Sequence, residues 1–221
     1  MKHRNNVVAI IEARMTSSRL PGKHLLEANG KPMIMHLVDR LKQVSMIDQI
    51  VIATTTNVTD EPLVKLAKDA AIGVFRGSEA DVMGRVLGAS EAFSADVVCE
   101  VTGDCPIIDP ALVNQVIETY LINDADYVNN GKYGVPGGMS AQVFSWLALK
   151  RSYEMTSDPL DLEHVTLHIK RHPELFRAIY LVAEKSIRWP ELELTLDEQD
   201  DYILLKRIIE YFGNGNQFGH R

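Results

Sequence analysis

The sequence predicts an α/β fold built on a mostly parallel sheet with helices on both faces. Three observations carry that expectation. The runs Val7-Val8-Ala9-Ile10-Ile11 and Ile50-Val51-Ile52-Ala53 are short, β-branched and almost continuously apolar, and Asp96-Val97-Val98-Cys99-Glu100-Val101 is a third such run. Strands of this kind are covered on both faces. Segments of helical period lie between them, and strand–helix–strand alternation over the first ~120 residues is the pattern of a parallel sheet.

The first strand covers Val7–Ile11. A helix follows on Met33, Ile34, Leu37, Val38 and Leu41, spaced at three- and four-residue steps, with Pro32 where helix starts tolerate proline. After the Ile50–Ala53 strand, Leu63, Val64, Leu66 and Ala67 mark a second helix, opened by Pro62 and capped by Thr59 or Asp60. A third helix is expected over Asp81–Phe93, then the Asp96–Val101 strand, then a fourth helix from Pro110 to about Ile122 with Asp109 as its cap. The second half is less regular. The Gly/Pro-rich stretch Asn129–Ser140 reads as a long loop in a small irregular lobe. It is followed by a helix around Asp161–Arg171, strands at Ala178–Val182 and Leu192–Leu196, and a closing helix over Gln199–Phe212. Residues 1–212 form one domain, and 213–221 form a flexible tail.

Composition narrows the function. The 221 residues are 46% hydrophobic and 24% charged, with no apolar run long enough to span a membrane. The N-terminal apolar stretch is too short for a signal peptide, so a cytoplasmic protein is expected. Two cysteines, Cys99 and Cys105, form neither a disulfide framework nor a zinc cluster and read as reduced, partly buried thiols. A net charge of −7 argues against nucleic-acid binding, which needs a basic face. Any anionic ligand must therefore be held by a local cluster of cations.

One cluster stands out. Ala13-Arg14-Met15-Thr16-Ser17-Ser18-Arg19-Leu20-Pro21-Gly22-Lys23 follows the first strand and holds three cations, three hydroxyls and a Pro-Gly turn. A polyphosphate needs charge-assisted donors converging from one side: forked arginines, a lysine point charge, hydroxyls and backbone N–H groups. By composition alone the loop is equally a solvated basic loop, but it leaves the carboxyl end of a strand, where such sheets bind ligands. Its glycine spacing matches neither of the common phosphate-loop patterns. Asp104 and Asp197 lie just past two predicted strands, so both belong at sheet ends. Two carboxylates beside a phosphate site suit Mg²⁺, a hard cation that takes oxygen ligands. Each also has an ordinary reading, Asp104 as a turn aspartate in Gly-Asp-Cys-Pro and Asp197 as a helix cap. His164 and His168 are spaced for one helix face, but no third ligand accompanies them and zinc is not expected.

The segment from Ile11-Glu12-Ala13-Arg14 through Ser18-Arg19-Leu20-Pro21-Gly22-Lys23 closely resembles the signature loop of the cytidylyltransferases that activate acidic nine- and eight-carbon sugars. The whole chain resembles the branch named after spore-coat polysaccharide biosynthesis. The likeness continues through Ala53-Thr54-Thr55-Thr56-Asn57, the Val74–Val82 segment, Val101-Thr102-Gly103-Asp104-Cys105-Pro106, Glu163-His164-Val165-Thr166 and Leu194-Thr195-Leu196-Asp197.

The resemblance implies a Rossmann-like nucleotide-diphospho-sugar transferase fold and a Mg²⁺-dependent transfer of the cytidylyl group from CTP to a small sugar acceptor, with pyrophosphate leaving. Such chemistry needs positioning and charge neutralisation more than a nucleophilic side chain. Arg14, Lys23 and Asp104 are the implied catalytic residues. Ala13, Arg14, Ser18, Arg19, Lys23, Arg76, Gly77, Ser78 and Asp104 are implied to hold the nucleotide, and Asp104 and Asp197 the metal. A homodimer is implied as well. The pattern departs at Gly137-Gly138-Met139-Ser140-Ala141-Gln142, where relatives often carry three carboxylates; this chain has Gly, Ser and Gln instead. Two other readings stay open: a glycosyltransferase or other-base nucleotidyltransferase of the same fold, and a non-catalytic nucleotide-binding relative.

Overall fold

A computed structural model of the chain describes residues 4–213 and residue 219. Most of the predicted tail lies outside these. Nine strands are assigned among the described residues: β1 Val7–Glu12, β2 Glu27–Ala28, β3 Lys31–Pro32, β4 Gln49–Thr55, β5 Gly73–Gly77, β6 Val97–Thr102, β7 Tyr127–Tyr133, β8 Gln142–Ser145 and β9 Ala178–Val182. Eight α-helices join them: α1 Met33–Leu41, α2 Glu61–Asp69, α3 Val82–Ala92, α4 Pro110–Ile122, α5 Trp146–Met155, α6 Pro159–Glu163, α7 Leu167–Arg171 and α8 Gln199–Phe212. Seven strands make one sheet in the order β5-β4-β1-β6-β8-β7-β9. Only β8 runs against its neighbours in it. The expected mostly parallel α/β sheet is what forms.

The apolar runs explain why β1 sits in the interior of the sheet. Side chains alternate across a strand, so Val7, Ala9 and Ile11 face α1 and α4, where they bury with Ile34, Leu37, Leu41 and Val116. Val8 and Ile10 face the other way and bury with Met83 and Val86 of α3 and Leu149 of α5. A smaller third core joins Ala28 and Met33 to Leu194, Leu196, Leu205 and Ile209, and so ties the end of the chain to the loop after β1. Strand order turns outward in both directions from β1 and β6, which puts the ligand crevice at their carboxyl ends.

Three segments differ from expectation. Asn129–Ser140 is not all loop: residues 129–133 continue β7, paired with β8 and β9. Asn and Gly disfavour strands, but two waiting partner strands override that preference. Leu192–Leu196 is not a strand. It makes one isolated bridge, Gly137 to Glu193, because its partner segment contains Pro136 and two glycines and cannot extend a ladder. The helix over Asp161–Arg171 breaks into α6 and α7. Thr166 Oγ1 at the break donates to Gln142 Oε1 at 2.6 Å, holding the chain against β8. His164 and His168 therefore do not share a helix face; His168 is buried and its Nδ1 meets Ser152 Oγ at 3.0 Å.

Candidate active site

The loop after β1 is fixed from beneath. Asp60 is fully buried and its carboxylate accepts from Thr54 Oγ1 (2.8 Å), Thr55 N (3.0 Å), Thr55 Oγ1 (2.6 Å) and Met15 N (2.8 Å). Burial alone would raise its pKa, but these four donors hold it below the usual carboxylate range. Asp60 thus locks the loop to the end of β4 rather than capping α2 with its side chain. Gly22 closes the loop at φ +71°, a left-handed conformation that glycine adopts without strain, and its N–H donates to Met15 O at 3.1 Å. A short turn, Lys23–Leu25, follows and points Lys23 inward.

Lys23 joins residues distant in sequence. Its Nζ lies 2.9 Å from Asp197 Oδ1 and 3.5 Å from Asp104 Oδ2, and only 8% of the residue is exposed. Arg19 adds a second cation, 3.0 Å from the same Asp197 oxygen. Burial opposes ionisation of Asp197, yet Lys23 and Arg19 hold its pKa below the ordinary value. A main-chain bond joins the two segments, Leu196 N donating to Asp104 O at 2.8 Å, and the Thr102 hydroxyl donates to Asp104 Oδ1. The structure therefore brings Lys23, Arg19, Asp104 and Asp197 together, Asp104 from just past β6 and Asp197 from a segment that is not a strand.

The remaining expected residues divide. Arg14 and Ser18 line the same cleft, with Ala13 as its buried wall. Arg14 NH1 lies 3.2 Å from Glu79, which also accepts from Thr16 Oγ1 (2.6 Å) and Asn57 Nδ2 (2.7 Å). Arg76, Gly77 and Ser78 do not line the cleft. The Arg76 guanidinium binds Glu61 and the carbonyls of Thr55 (3.0 Å) and Asn57 (2.9 Å), which braces β5 against α2. Gly77 and Ser78 pack against Arg85: a Cβ at Gly77 would meet Arg85 Cγ at 2.9 Å, and Arg85 NH1 donates to Ser78 O.

The cleft holds about 410 Å³ of water-sized space. His24 forms part of its base, with Nδ1 3.1 Å from Gly103 O. Burial first, then the charge of Lys23, lowers its pKa to about 4, so the ring is neutral near pH 7. Gly103 must be glycine, since a Cβ would lie 2.8 Å from Glu12 O and 2.9 Å from His24 Cε1. Glu163 and His164 stand exposed on the opposite rim. Both cysteines are free and buried, and burial pushes the Cys99 thiol up to about 12.

Sequence reasoning missed Asp60, His24 and the burial of Arg85. Asp81 and Arg85 are not the simple helix pair their spacing allows: Asp81 caps α3 through Gly84 N at 2.7 Å, while Arg85 turns to Ser78. Where relatives carry carboxylates, a Cβ at Gly137 would meet the exposed Glu193 carboxylate, which would have to swing aside, and Gln142 Oε1 accepts from Tyr127 OH and Thr166 Oγ1. Among the described residues no set of three or more His, Cys, Asp or Glu groups is placed to hold a metal. Two converging carboxylates suit Mg²⁺ nonetheless, which keeps several waters and shares phosphate oxygens instead of filling a protein cage. No described helix is long and apolar enough to cross a membrane.

Comparison with known proteins agrees with this geometry. The cytidylyltransferase family profile matches residues 8–212. The spore coat polysaccharide biosynthesis protein SpsF of Bacillus subtilis is 33% identical over 220 residues, which span 95% of this chain and 88% of that protein. A cytidylyltransferase structure from Leptospira borgpetersenii superposes with a TM-score of 0.92 at 28% identity, covering 98% of this chain and 91% of that one. The structure of CMP:2-keto-3-deoxy-manno-octonic acid synthetase complexed with CTP has the same fold, with a TM-score of 0.71 at 19% identity over 94% of this chain and all of that one.

Proposed function

This chain belongs to the cytidylyltransferase family, and we propose that its cleft transfers the cytidylyl group of CTP to an acidic sugar used in cell-surface polysaccharide synthesis, releasing pyrophosphate. The observation that carries the reading is the meeting of Lys23 with Asp104 and Asp197, 2.9–3.5 Å apart, at the mouth of the loop after β1. In the proposed reaction a sugar oxygen attacks the α-phosphorus of CTP. Lys23 and Arg14 take up phosphate charge, Arg19 braces the loop by its contact with Asp197, and Ser18 and the loop N–H groups supply further donors. Lys23 also holds the two carboxylates in place before substrate arrives.

Asp104 and Asp197 would hold Mg²⁺, which when bound neutralises charge on the phosphate and sugar oxygens. Ala13 and Gly103 wall the nucleotide, and Gly77 and Ser78 support Arg85, which lines the same cleft. The resemblance of the loop after β1 to that of the acidic-sugar cytidylyltransferases supports an anionic acceptor. Family resemblance supports a homodimer, and use of CTP supports a cytoplasmic location.

Pyrophosphate release tests the reaction. The protein is incubated with each of the four nucleoside triphosphates, Mg²⁺ and a panel of acidic sugars. Release with CTP and at least one acidic sugar, abolished by chelating the metal, is the expected result. Release with another nucleotide instead would redirect the reading to another base. Tight CTP binding with no release from any acceptor would make the chain a non-catalytic relative.

A further inference from the structure

Glu79 stands outside the cleft, in the turn between β5 and α3, yet it reaches the loop that builds the phosphate side. Its carboxylate gathers donors from two other segments. Oε1 accepts from Thr16 Oγ1 at 2.6 Å and from Arg14 NH1 at 3.2 Å, both in the loop after β1. Oε2 accepts from Asn57 Nδ2 at 2.7 Å, just past β4. Thr16 first, and then Asn57, hold the Glu79 carboxyl below its ordinary pKa. Asn57 is itself fixed: its N–H donates to Thr55 Oγ1 at 3.1 Å, and its carbonyl accepts from Arg76 NH2 at 2.9 Å. The brace that starts at Arg76 thus runs through Asn57 and Glu79 to Arg14. Asp60 meanwhile holds the main chain of Met15, so three consecutive residues of the loop are each tied to a carboxylate.

Stability does not account for this arrangement. The side chains of Arg14 and Glu79 are 45% and 39% exposed, and an ion pair so open to solvent adds little to folding. What the contact fixes is direction. A free arginine side chain samples many rotamers, and a ligand that must freeze them binds less tightly than one that meets a side chain already held. Among the described residues only NH1 of the Arg14 guanidinium is engaged, which leaves its other N–H groups for phosphate oxygens.

We propose that Glu79 is a positioning residue for the nucleotide: through its contact with Arg14 it aims the guanidinium at the phosphates of CTP before they arrive, with Asn57 and Arg76 holding it from behind. This rests on the cytidylyl-transfer reading, which puts Arg14 on those phosphates. The bare charge of Glu79 acts in the opposite sense, because a carboxylate near a triphosphate repels it. The sign of the change when that charge is removed therefore separates aiming from repulsion.

The test is a double-mutant cycle, read by calorimetric titration of CTP with Mg²⁺ into the wild type, Glu79→Gln, Arg14→Ala and the variant carrying both. Glu79→Gln keeps the size of the side chain and changes only its charge, at a partly exposed position, so the fold is kept. It should weaken CTP about fivefold, the effect of freezing one long side chain on binding. Once Arg14 is alanine, the same change should alter binding less than about twofold. Equal weakening in both backgrounds would show a structural role independent of Arg14 and overturn the proposal. So would tighter binding of CTP by Glu79→Gln, which would make Glu79 a competitor of the phosphates for Arg14. Asn57→Ala gives a second reading, since it removes a donor to Glu79 and leaves every residue of the cleft in place. Its weakening of CTP should likewise vanish in the Arg14→Ala background, and a loss that persists there counts against the proposal. An Arg14→Ala variant that binds CTP as tightly as the wild type overturns the proposal alone. A wild type that does not bind CTP overturns the cytidylyl-transfer reading, and the proposal with it.

Discussion

The two sides of the cleft are built by different means. The phosphate side hangs on the ends of β1, β4 and β6, three parallel strands in register, and Asp60 pins its loop through four hydrogen bonds. The opposite side is carried by the break between α6 and α7, which Thr166 holds against the antiparallel β8. There, conformation is set by side chains reaching from elsewhere, such as Thr166 and Tyr127 onto Gln142. A site that must hold the same nucleotide every time gains from strand ends. A side that must suit one acceptor among many can change residue by residue without disturbing the sheet.

The largest expected effect breaks the first side. Asp60→Ala leaves four donors without their acceptor, one of them in the loop itself, and should cost roughly 4 kcal/mol of stability. Urea unfolding measures it. A loss below about 1 kcal/mol would mean the loop is held by something other than Asp60.

That contrast also decides what could be read from the sequence. Val7–Ile11 and Ile50–Ala53 announce buried strands by composition, and a cation-rich loop after a strand end announces a ligand site. Asp104 and Asp197 were placed by the same logic, although Leu192–Leu196, expected to deliver Asp197, is not a strand; the backbone bond from Leu196 to Asp104 delivers it instead. Asp60 was hidden because a cap and a buried acceptor look alike in sequence. His24 was hidden because a histidine two residues past a Pro-Gly turn carries no burial signal. Residues 129–133 read as loop because pairing partners are invisible locally, and the bracing bonds of Arg76 were hidden because they depend on Glu61 and two carbonyls.

His24 sharpens the picture of a pre-packed phosphate side. Its folded pKa is about 4 against an ordinary 6.5. Between those values the unfolded chain takes up a proton that the folded chain refuses. Stability from this group is therefore complete above the unfolded value and falls as pH drops towards 4, by about 3 kcal/mol in all. Denaturation of the wild type across this range should show that fall, and His24→Gln should lack most of it. Equal slopes in both proteins would place the acid sensitivity elsewhere.

The smallest expected effect probes the other side. Gln142→Glu restores a carboxylate that relatives carry, next to Glu100 and under Thr166. It should raise the KM for the acidic sugar about tenfold, since each 1.4 kcal/mol is a factor of ten, while changing the KM for CTP less than about twofold. Steady-state kinetics with each substrate varied in turn gives both. Equal changes in the two constants would show that the halves of the cleft are not independent.

The central claim is that Lys23, Asp104 and Asp197 close one metal-dependent triphosphate site from three distant parts of the chain. Calorimetric titration of CTP with and without Mg²⁺, into the wild type and into Asp104→Asn with Asp197→Asn, tests it most directly. Wild-type binding should tighten at least about tenfold with Mg²⁺, and the folded variant should lose that gain while still binding CTP weakly. A variant that keeps the full Mg²⁺ dependence would contradict the claim.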